Sequence, residues 1–114
     1  MSKLRHYILA DKKVVPCDLM TWVRWMETGD RIVAADVIGG ILVSTVFLGI
    51  DHSFGNGPPL LFETMLFDGP TDNELMRCST YEQAEAQHRA AVDAVRELVD
   101  ESVLAMERLR NPQT

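Results

Sequence analysis

The chain has 114 residues, of which 46% are hydrophobic and 25% charged, and its net charge is −6. These values are typical of one globular domain and exclude a disordered segment or a two-lobed enzyme. Residues 1–31 carry six Lys or Arg against four Asp or Glu, whereas residues 32–114 carry five against thirteen. Because no basic stripe runs through this acidic chain, we expect no general binding of DNA or RNA.

The cysteines and the apolar segments of the sequence indicate a cytoplasmic protein. Cys17 and Cys78 have neither a CxxC arrangement nor the spacing of a zinc site. The first residues contain no long apolar segment of the kind found in secretory signals. The uncharged apolar stretch over residues 37–50 has 14 residues, which is too short for a membrane-spanning helix. We therefore expect no membrane partner.

The first thirty residues predict a strand followed by a short helix. Residues 4–9 have the pattern of a strand, and Val14 and Val15 could extend it into a hairpin after a polar turn. Asp18 is placed to cap a helix over residues 19–28, and Gly29 is placed to end it. One face of that helix carries apolar residues at the spacing of a core-facing helix: Leu19, Trp22, Val23 and Met26.

The centre of the chain predicts a β-hairpin. Two β-branched-rich runs, residues 31–38 and 41–50, flank the Gly39-Gly40 dipeptide, which is a strong signal for a two-residue turn. That turn pairs Ile38 with Ile41, Asp36 with Val43, Ala34 with Thr45 and Ile32 with Phe47. Both faces of the hairpin are largely apolar. In a sheet with one solvated face, apolar and polar residues instead alternate along each strand. We therefore expect each face to be covered.

The remaining elements are two strands and a long helix. Residues 60–67 predict a strand that ends at Asp68, and residues 74–78 predict a short edge strand. Ser79 and Glu82 fit a capping box, after which the helical pattern continues to about Arg110. Thirty helical residues measure about 45 Å, whereas a domain of this size has a radius of gyration of about 13 Å. The helix must bend, fray after about Val99, or pack on a second copy.

Together these elements predict a single α+β domain over residues 1–110, with a C-terminal tail at residues 111–114. Its antiparallel sheet has four to five strands, a short N-terminal helix and a long C-terminal helix, in the order β-α-β-β-β-(β)-α. A homodimer or higher homo-oligomer accounts best for the long helix and the doubly apolar sheet. The last helix or the second sheet face is the expected interface.

The loop over residues 51–59 is the first candidate site. Asp51 and His52 follow the second hairpin strand, where a histidine beside a carboxylate could act as a base or hold an anion. The alternative is an Asx-type turn in a loop whose glycines supply positive φ angles. Phe54 lies inside the loop, where no strand face explains it, so it could stack on the ring of a ligand.

The start of the last helix is the second candidate site. His88 lies on its apolar stripe, either as a satisfied core residue or as a partner of Asp51, His52 or Glu63 across the sheet. Arg89 adjoins it and could meet a phosphate, or pair with Glu85 and Asp93 at i,i+4 spacing. No nucleophile motif and no metal-ligand spacing is present. We therefore assign no catalytic residue, no metal and no cofactor.

Three stretches, STVFLGIDH, GPPLLFETM and STYEQAEAQH, resemble a family of short proteins encoded by bacteriophages and prophages, over about residues 43–92. They also suggest similarity to the phage anti-Thoeris sponge family, sheet-plus-helix proteins that oligomerise and sequester cyclic nucleotide-like immune signals without cleaving them. The resemblance implies a non-enzymatic counter-defence protein in the cytoplasm of a bacterial host.

On that hypothesis the ligand pocket lies at the 51–59 loop beside the start of the last helix. Phe54 would stack on a ring, and Arg77 or Arg89 would meet phosphate near His88. Asp51, His52 and Asn56 would supply hydrogen bonds. Two alternatives remain open: a phage inhibitor that binds a host defence enzyme, and a small hydrolase that uses Asp51, His52, Glu63 and His88.

Overall fold

A computed structural model describes residues 5–51, 53, 56–68 and 75–110. Its elements are β1 (His6–Ala10), β2 (Lys13–Cys17), α1 (Leu19–Thr28), β3 (Ile32–Ile38), β4 (Ile41–Phe47), β5 (Phe62–Phe67), β6 (Leu75–Cys78) and α2 (Tyr81–Arg110). Strands β3 to β6 form an antiparallel sheet in chain order, and β1 and β2 form a separate two-stranded sheet. The predicted α+β class, the short helix and the long C-terminal helix are confirmed. The predicted tail lies outside the described residues.

Helix α1 begins and ends where its sequence predicts. The Asp18 carboxylate accepts a hydrogen bond from the Thr21 N–H at 2.8 Å, which lowers the pKa of this carboxyl group. At the other end, the Gly29 N–H donates to the Trp25 carbonyl. Gly29 has a φ of −71°, so the helix does not end in a left-handed residue. Glycine is required there for steric reasons, because a Cβ would lie 2.5 Å from the Trp25 ring.

The register of the central hairpin agrees with three of the four predicted pairs. Ile38 lies opposite Ile41, Asp36 opposite Val43, and Ala34 opposite Thr45. The fourth pair is wrong, because an irregularity between Ile32 and Ala34 places Ile32 opposite Val46. A bulge of this kind inserts an extra residue and re-aims its neighbours. Val33 consequently packs against the buried core, and Ile32 is 60% exposed.

Helix α2 packs across all four strands of the larger sheet and covers one face, here called the inner face. Inward-facing residues alternate along β4 and β5, as the two-residue period of a strand requires. They form two apolar clusters with α2. One contains Ile41, Val43, Leu66, Ala91, Val92 and Val95; the other contains Tyr7, Phe47, Leu61, Phe62 and Ala84.

The opposite side of this sheet, here called the outer face, is largely apolar and faces away from α2. It carries Ala35, Val37, Leu42, Ser44, Val46, Glu63, Met65, Phe67, Leu75 and Arg77, which alternate with the inward-facing residues. Val37 is 70% exposed and Leu75 is 43% exposed. We expected cover on both faces. Within the described residues, α2 covers the inner face and the outer face remains open.

Helix α2 continues without a break to Arg110, so fraying after Val99, one of the three alternatives for this helix, is not observed. All residues of its distal segment, defined as residues 100–110, are exposed. The Cα radius of gyration is 18.2 Å, well above the ~13 Å typical of a compact domain of this length. The excess reflects a helix that extends beyond the sheet on which it packs.

We expect Gly39→Ala to destabilise the fold more than Gly40→Ala. Both glycines have positive φ angles, 57° and 83°, which cost an alanine about 1–2 kcal/mol. A Cβ at Gly39 would also lie 2.6 Å from a methyl group of Val99, whereas a Cβ at Gly40 meets nothing within 4 Å. Denaturant unfolding of both variants measures the difference, and adding Val99→Ala to Gly39→Ala should remove part of it. Equal losses would contradict this contact between the turn and α2.

Candidate functional site: a buried histidine network

A chain of hydrogen bonds connects α2 to three strands between the two apolar clusters. Thr45 on β4 and Thr64 on β5 lie opposite each other on the inner face, with their hydroxyl oxygens 2.7 Å apart. The Nδ1 atom of His88 lies 2.7 Å from Thr45 Oγ1, and its Nε2 atom lies 2.7 Å from Asp36 Oδ2. We call Asp36, His88, Thr45 and Thr64 the polar network.

The polar network extends from the surface into the centre of the core. The Asp36 side chain is 54% exposed at the edge strand β3, whereas the His88 side chain is only 6% exposed. Thr45 and Thr64 are 0% exposed. Buried hydroxyl and imidazole groups need partners, since an unsatisfied one costs about 1–3 kcal/mol. The network supplies a partner to each of these buried side chains.

Two arrangements of the protons satisfy these contacts. With Asp36 as a carboxylate, the His88 Nε2 atom donates to it, and Nδ1 then accepts from the Thr45 hydroxyl. The Thr45 oxygen in turn accepts from the Thr64 hydroxyl. A protonated ring would reverse both hydroxyl hydrogen bonds, because both of its nitrogen atoms are then donors. All three bonds can therefore form in either state.

An aspartate, a histidine and a hydroxyl group in one chain match the composition of a catalytic triad, but the geometry does not permit that chemistry. In a triad the hydroxyl oxygen attacks a substrate that contacts it directly. The Thr45 hydroxyl is instead covered by α2, and its second neighbour is another buried hydroxyl. The arrangement holds α2 in register on the sheet and gives His88 the contacts of a satisfied core residue.

The 51–59 loop begins with a clamp formed by Asp51. Its Oδ1 atom accepts hydrogen bonds from the Ser53 N–H at 2.8 Å and from the Leu60 N–H at 2.9 Å. The first bond is that of an Asx turn, and the second closes the loop onto the residues before β5. Asn56 is exposed. The predicted ligand residues His52 and Phe54 lie outside the described residues.

The two candidate arginines are not brought together with His88. The Arg77 Nε atom lies 3.2 Å from Glu63 Oε2, and these two residues are opposite each other on the outer face. His88 lies on the inner face, so the sheet separates it from Arg77. Arg89 is exposed on α2. A pocket shared by Arg77 and His88 therefore requires a different arrangement from the one observed.

The two cysteines are not activated as nucleophiles. Burial raises the pKa of the Cys78 thiol, and burial followed by the charge of Asp18 raises the pKa of Cys17. Both thiols therefore favour the protonated form, which is the poorer nucleophile. Among the described residues there is no group of three or more His, Cys, Asp or Glu side chains that could hold a metal ion.

Three members of the polar network were missed by sequence reasoning: Asp36, Thr45 and Thr64. The predicted register did hold a usable signal, because it placed Asp36 and Thr45 as polar positions on the same, otherwise apolar face of the hairpin. His88 interrupts the apolar stripe of the last helix in the same way. Polar residues on apolar faces that pack together tend to be mutual partners.

No family model, no curated protein and no solved structure matches this chain. Among the described helices, none is long and apolar enough to cross a membrane.

Proposed function

We propose that this chain is a non-enzymatic binding protein that acts as a homodimer and binds a protein partner through the outer face of its sheet. The phage resemblance suggests a host defence enzyme as that partner, inhibited in the cytoplasm of the bacterial host. The observation that carries the proposal is the open, apolar outer face. Contiguous exposed apolar surface on a soluble protein is a common mark of an interaction site.

The chemistry of the outer face suits a protein partner. Near its centre, Leu42, Val46 and Met65 surround Ser44, and these three apolar side chains are half-buried within the sheet. The Glu63–Arg77 ion pair adds a polar group beside that centre. An apolar core with a charged border is the usual anatomy of a protein–protein interface. A nucleotide, in contrast, needs a concave site with a few converging polar groups.

Binding also fits the described residues better than catalysis does. The hydrolase alternative required His88 to act with Asp51, His52 and Glu63. His88 is instead hydrogen-bonded to Asp36 and Thr45, and Glu63 pairs with Arg77 on the other side of the sheet. Asp51 binds backbone N–H groups of its own loop. These contacts support a structural role for each of these groups.

We expect Val37→Lys combined with Met65→Lys to abolish partner binding without unfolding the protein. Both side chains point away from α2, so the core clusters remain intact. The measurement compares host proteins retained from bacterial lysate by the wild-type chain and by this variant, with Glu82→Lys as a control on exposed α2. One stoichiometric protein, retained by wild type and control but lost in the double variant, would support the proposal. Equal retention by all three would refute it.

Sequestration of a cyclic nucleotide-like signal is a separate proposal that stems from the same resemblance. One observation favours it: the Asp51 clamp holds Ser53 and Leu60 to a common carboxylate, which fixes both ends of the loop that carries the proposed ligand groups. Mass spectrometry of small molecules released by denaturing the purified protein tests it. An intact nucleotide supports sequestration, whereas failure to bind any of a panel of cyclic nucleotides refutes it.

A further inference from the structure

We propose that the free edge of β3 accepts an extended segment of the partner protein as an additional strand, with a lysine or arginine of that segment facing Asp36. This inference rests on the proposed function and names the way in which the partner protein binds. Within the described residues, β3 pairs only with β4 and so forms one edge of the four-stranded sheet. Backbone N–H and C=O groups at an open edge can pair with a strand from another chain.

The turn of the central hairpin sets which backbone groups of β3 point towards β4. Gly39 and Gly40 have φ angles of 57° and 83°, which are typical of a two-residue type I′ turn. Such a turn is closed by backbone hydrogen bonds between the two residues that flank it, here Ile38 and Ile41. Hydrogen-bonded and non-hydrogen-bonded pairs then alternate along the two strands. Every second residue of β3, counted back from Ile38, therefore bonds to β4 through its backbone.

The backbone groups of Ala35 and Val37 point to the open edge, because Asp36 between them is one of the residues that bond to β4. All three residues are exposed. The Phe47 N–H donates to the Arg31 carbonyl at 2.8 Å, which agrees with this alternation, since it makes the odd-numbered residues of β4 the ones that bond towards β3. A strand beside β3 can therefore pair with two N–H groups and two carbonyl groups.

The composition of β3 leaves this edge open to pairing. Edge strands of soluble proteins are often protected by lysine, by proline or by being very short. Strand β3 has seven residues and contains neither lysine nor proline, whereas β6, at the other edge, has only four residues. The irregularity between Ile32 and Ala34 limits pairing at the beginning of β3. The usable part of the edge is therefore residues 34–38.

Asp36 determines which kind of strand fits this edge. Its side chain is 54% exposed, and Oδ2 of its carboxylate lies 2.7 Å from Nε2 of His88, which fixes it on the inner face. On an added strand, the residue opposite Asp36 has its side chain on the same face, with the two Cβ atoms about 4.5–5.5 Å apart. A lysine or arginine there forms a cross-strand ion pair. The net charge of −6 adds to the preference for a basic segment.

The same carboxylate disfavours a second copy of β3 as the added strand. In an antiparallel pair of two copies that uses all four open groups of each, Ala35 of one copy lies opposite Val37 of the other. The two Asp36 residues then lie opposite each other in a pair without hydrogen bonds, where side chains are closest. Like charges directly opposite destabilise a strand pair. Charge therefore favours a basic segment of another protein, and the proposed homodimer uses a different surface.

Peptide binding to the full chain tests the charge preference. The probe is a fluorescently labelled peptide of alternating valine and threonine with lysine at its centre, and the comparison peptide has glutamate there. In anisotropy titrations, the wild-type chain should bind the lysine peptide about fivefold more tightly, because an ion pair replaces a repulsion. Asp36→Asn keeps an acceptor for His88 but removes the charge, so it should bind both peptides about equally. Equal binding of both by the wild-type chain, or binding of neither, would overturn the proposal.

Hydrogen exchange, measured for each residue by NMR, tests the backbone contacts. In the free chain, the N–H groups of Ala35 and Val37 should exchange rapidly and that of Asp36 slowly. The lysine peptide should slow exchange at Ala35 and Val37 by roughly tenfold or more, and a version N-methylated at its edge-facing amides should not. Slow exchange at both residues in the free chain would show that the edge is already paired, and it would overturn the proposal. Exchange that the lysine peptide leaves unchanged would do the same.

Ala35→Pro separates this inference from the proposed function. Proline removes the N–H that faces the open edge, a position where an edge strand tolerates it, whereas the control Ala35→Thr keeps that N–H. The control should bind the lysine peptide and retain the host protein, and Ala35→Pro should lose both. The N-methylated peptide makes the same test on the wild-type chain, should Ala35→Pro not fold.

The two proposals fail in different ways. If Ala35→Pro folds and retains the host protein that Val37→Lys with Met65→Lys loses, binding through the outer face stands and strand addition is overturned. If the wild-type chain binds the lysine peptide at the β3 edge but retains no host protein, strand pairing at this edge stands and the proposed function fails.

Discussion

His88→Ala should lower the free energy of unfolding by about 3 kcal/mol. The substitution removes a side chain that is only 6% exposed, leaves a cavity between the two apolar clusters, and deprives the Thr45 hydroxyl of its His88 partner. Asp36 contributes less to the loss, because its half-exposed carboxylate can bind water instead. Urea or guanidinium unfolding, followed by circular dichroism, measures the change.

A set of apolar replacements separates the hydrogen bonds from the packing. His88→Leu fills much of the space but leaves the two threonine hydroxyls with fewer partners, so it should still destabilise. Adding Thr45→Val and Thr64→Val removes the hydroxyl groups that have lost a hydrogen-bond partner. Replacing all partners of a buried network together can leave the stability almost unchanged. The triple variant should therefore be more stable than His88→Leu alone. If the triple variant is less stable than His88→Leu, the hydrogen bonds of the polar network add stability beyond satisfying their own buried groups.

This result also bears on the hydrolase alternative. If the polar network serves to hold α2 on the sheet, the triple variant should keep its fold and its binding to a partner protein, since the outer face is untouched. A catalytic role for His88 would predict that the wild-type chain has a hydrolytic turnover and that the triple variant loses it while it keeps its fold and its binding. Measuring turnover beside stability and partner retention, on the wild-type chain and on this variant, distinguishes the two roles.

The secondary structure was largely predictable because its signals are local. Asp18 before an apolar helical pattern, Gly39-Gly40 between β-branched runs, and the helical periodicity after residue 80 each specify an element from a few neighbouring residues. The strand ends were less predictable. β4 ends at Phe47 rather than Ile50, because Gly49 takes a φ of 77° and redirects the chain.

The contacts of the site depend on tertiary packing, which local patterns do not specify. The hydrophobic stripe predicted that His88 faces the sheet, but not that it meets Thr45 and Asp36. That outcome depends on how far α2 is shifted along the strands. The bulge at Val33 was equally hidden, because a bulge depends on the match between two strands. Arg77 could be placed on a face only once the pairing of β6 with β5 was known.

Phe62→Ala should be among the most destabilising single substitutions, at about 3–5 kcal/mol. Phe62 is fully buried, and its ring centroid lies 5.2 Å from that of Phe47 and 6.0 Å from that of Tyr81. It therefore joins β4, β5 and the start of α2 in a single cluster. Aromatic pairs at such distances add attraction beyond the area that they bury. Denaturant unfolding provides the measurement.

Phe67→Ala is the matched control, because it removes the same side chain from the same strand. Phe67 lies five residues further along β5 and hence on the outer face, where it is half-buried. Its loss should cost about 1 kcal/mol of stability and weaken binding of the partner protein. Phe62→Ala should instead reduce binding only as far as it unfolds the chain. Equal destabilisation by both variants would show that the outer face is covered as fully as the inner face, and the binding surface would then have to lie elsewhere.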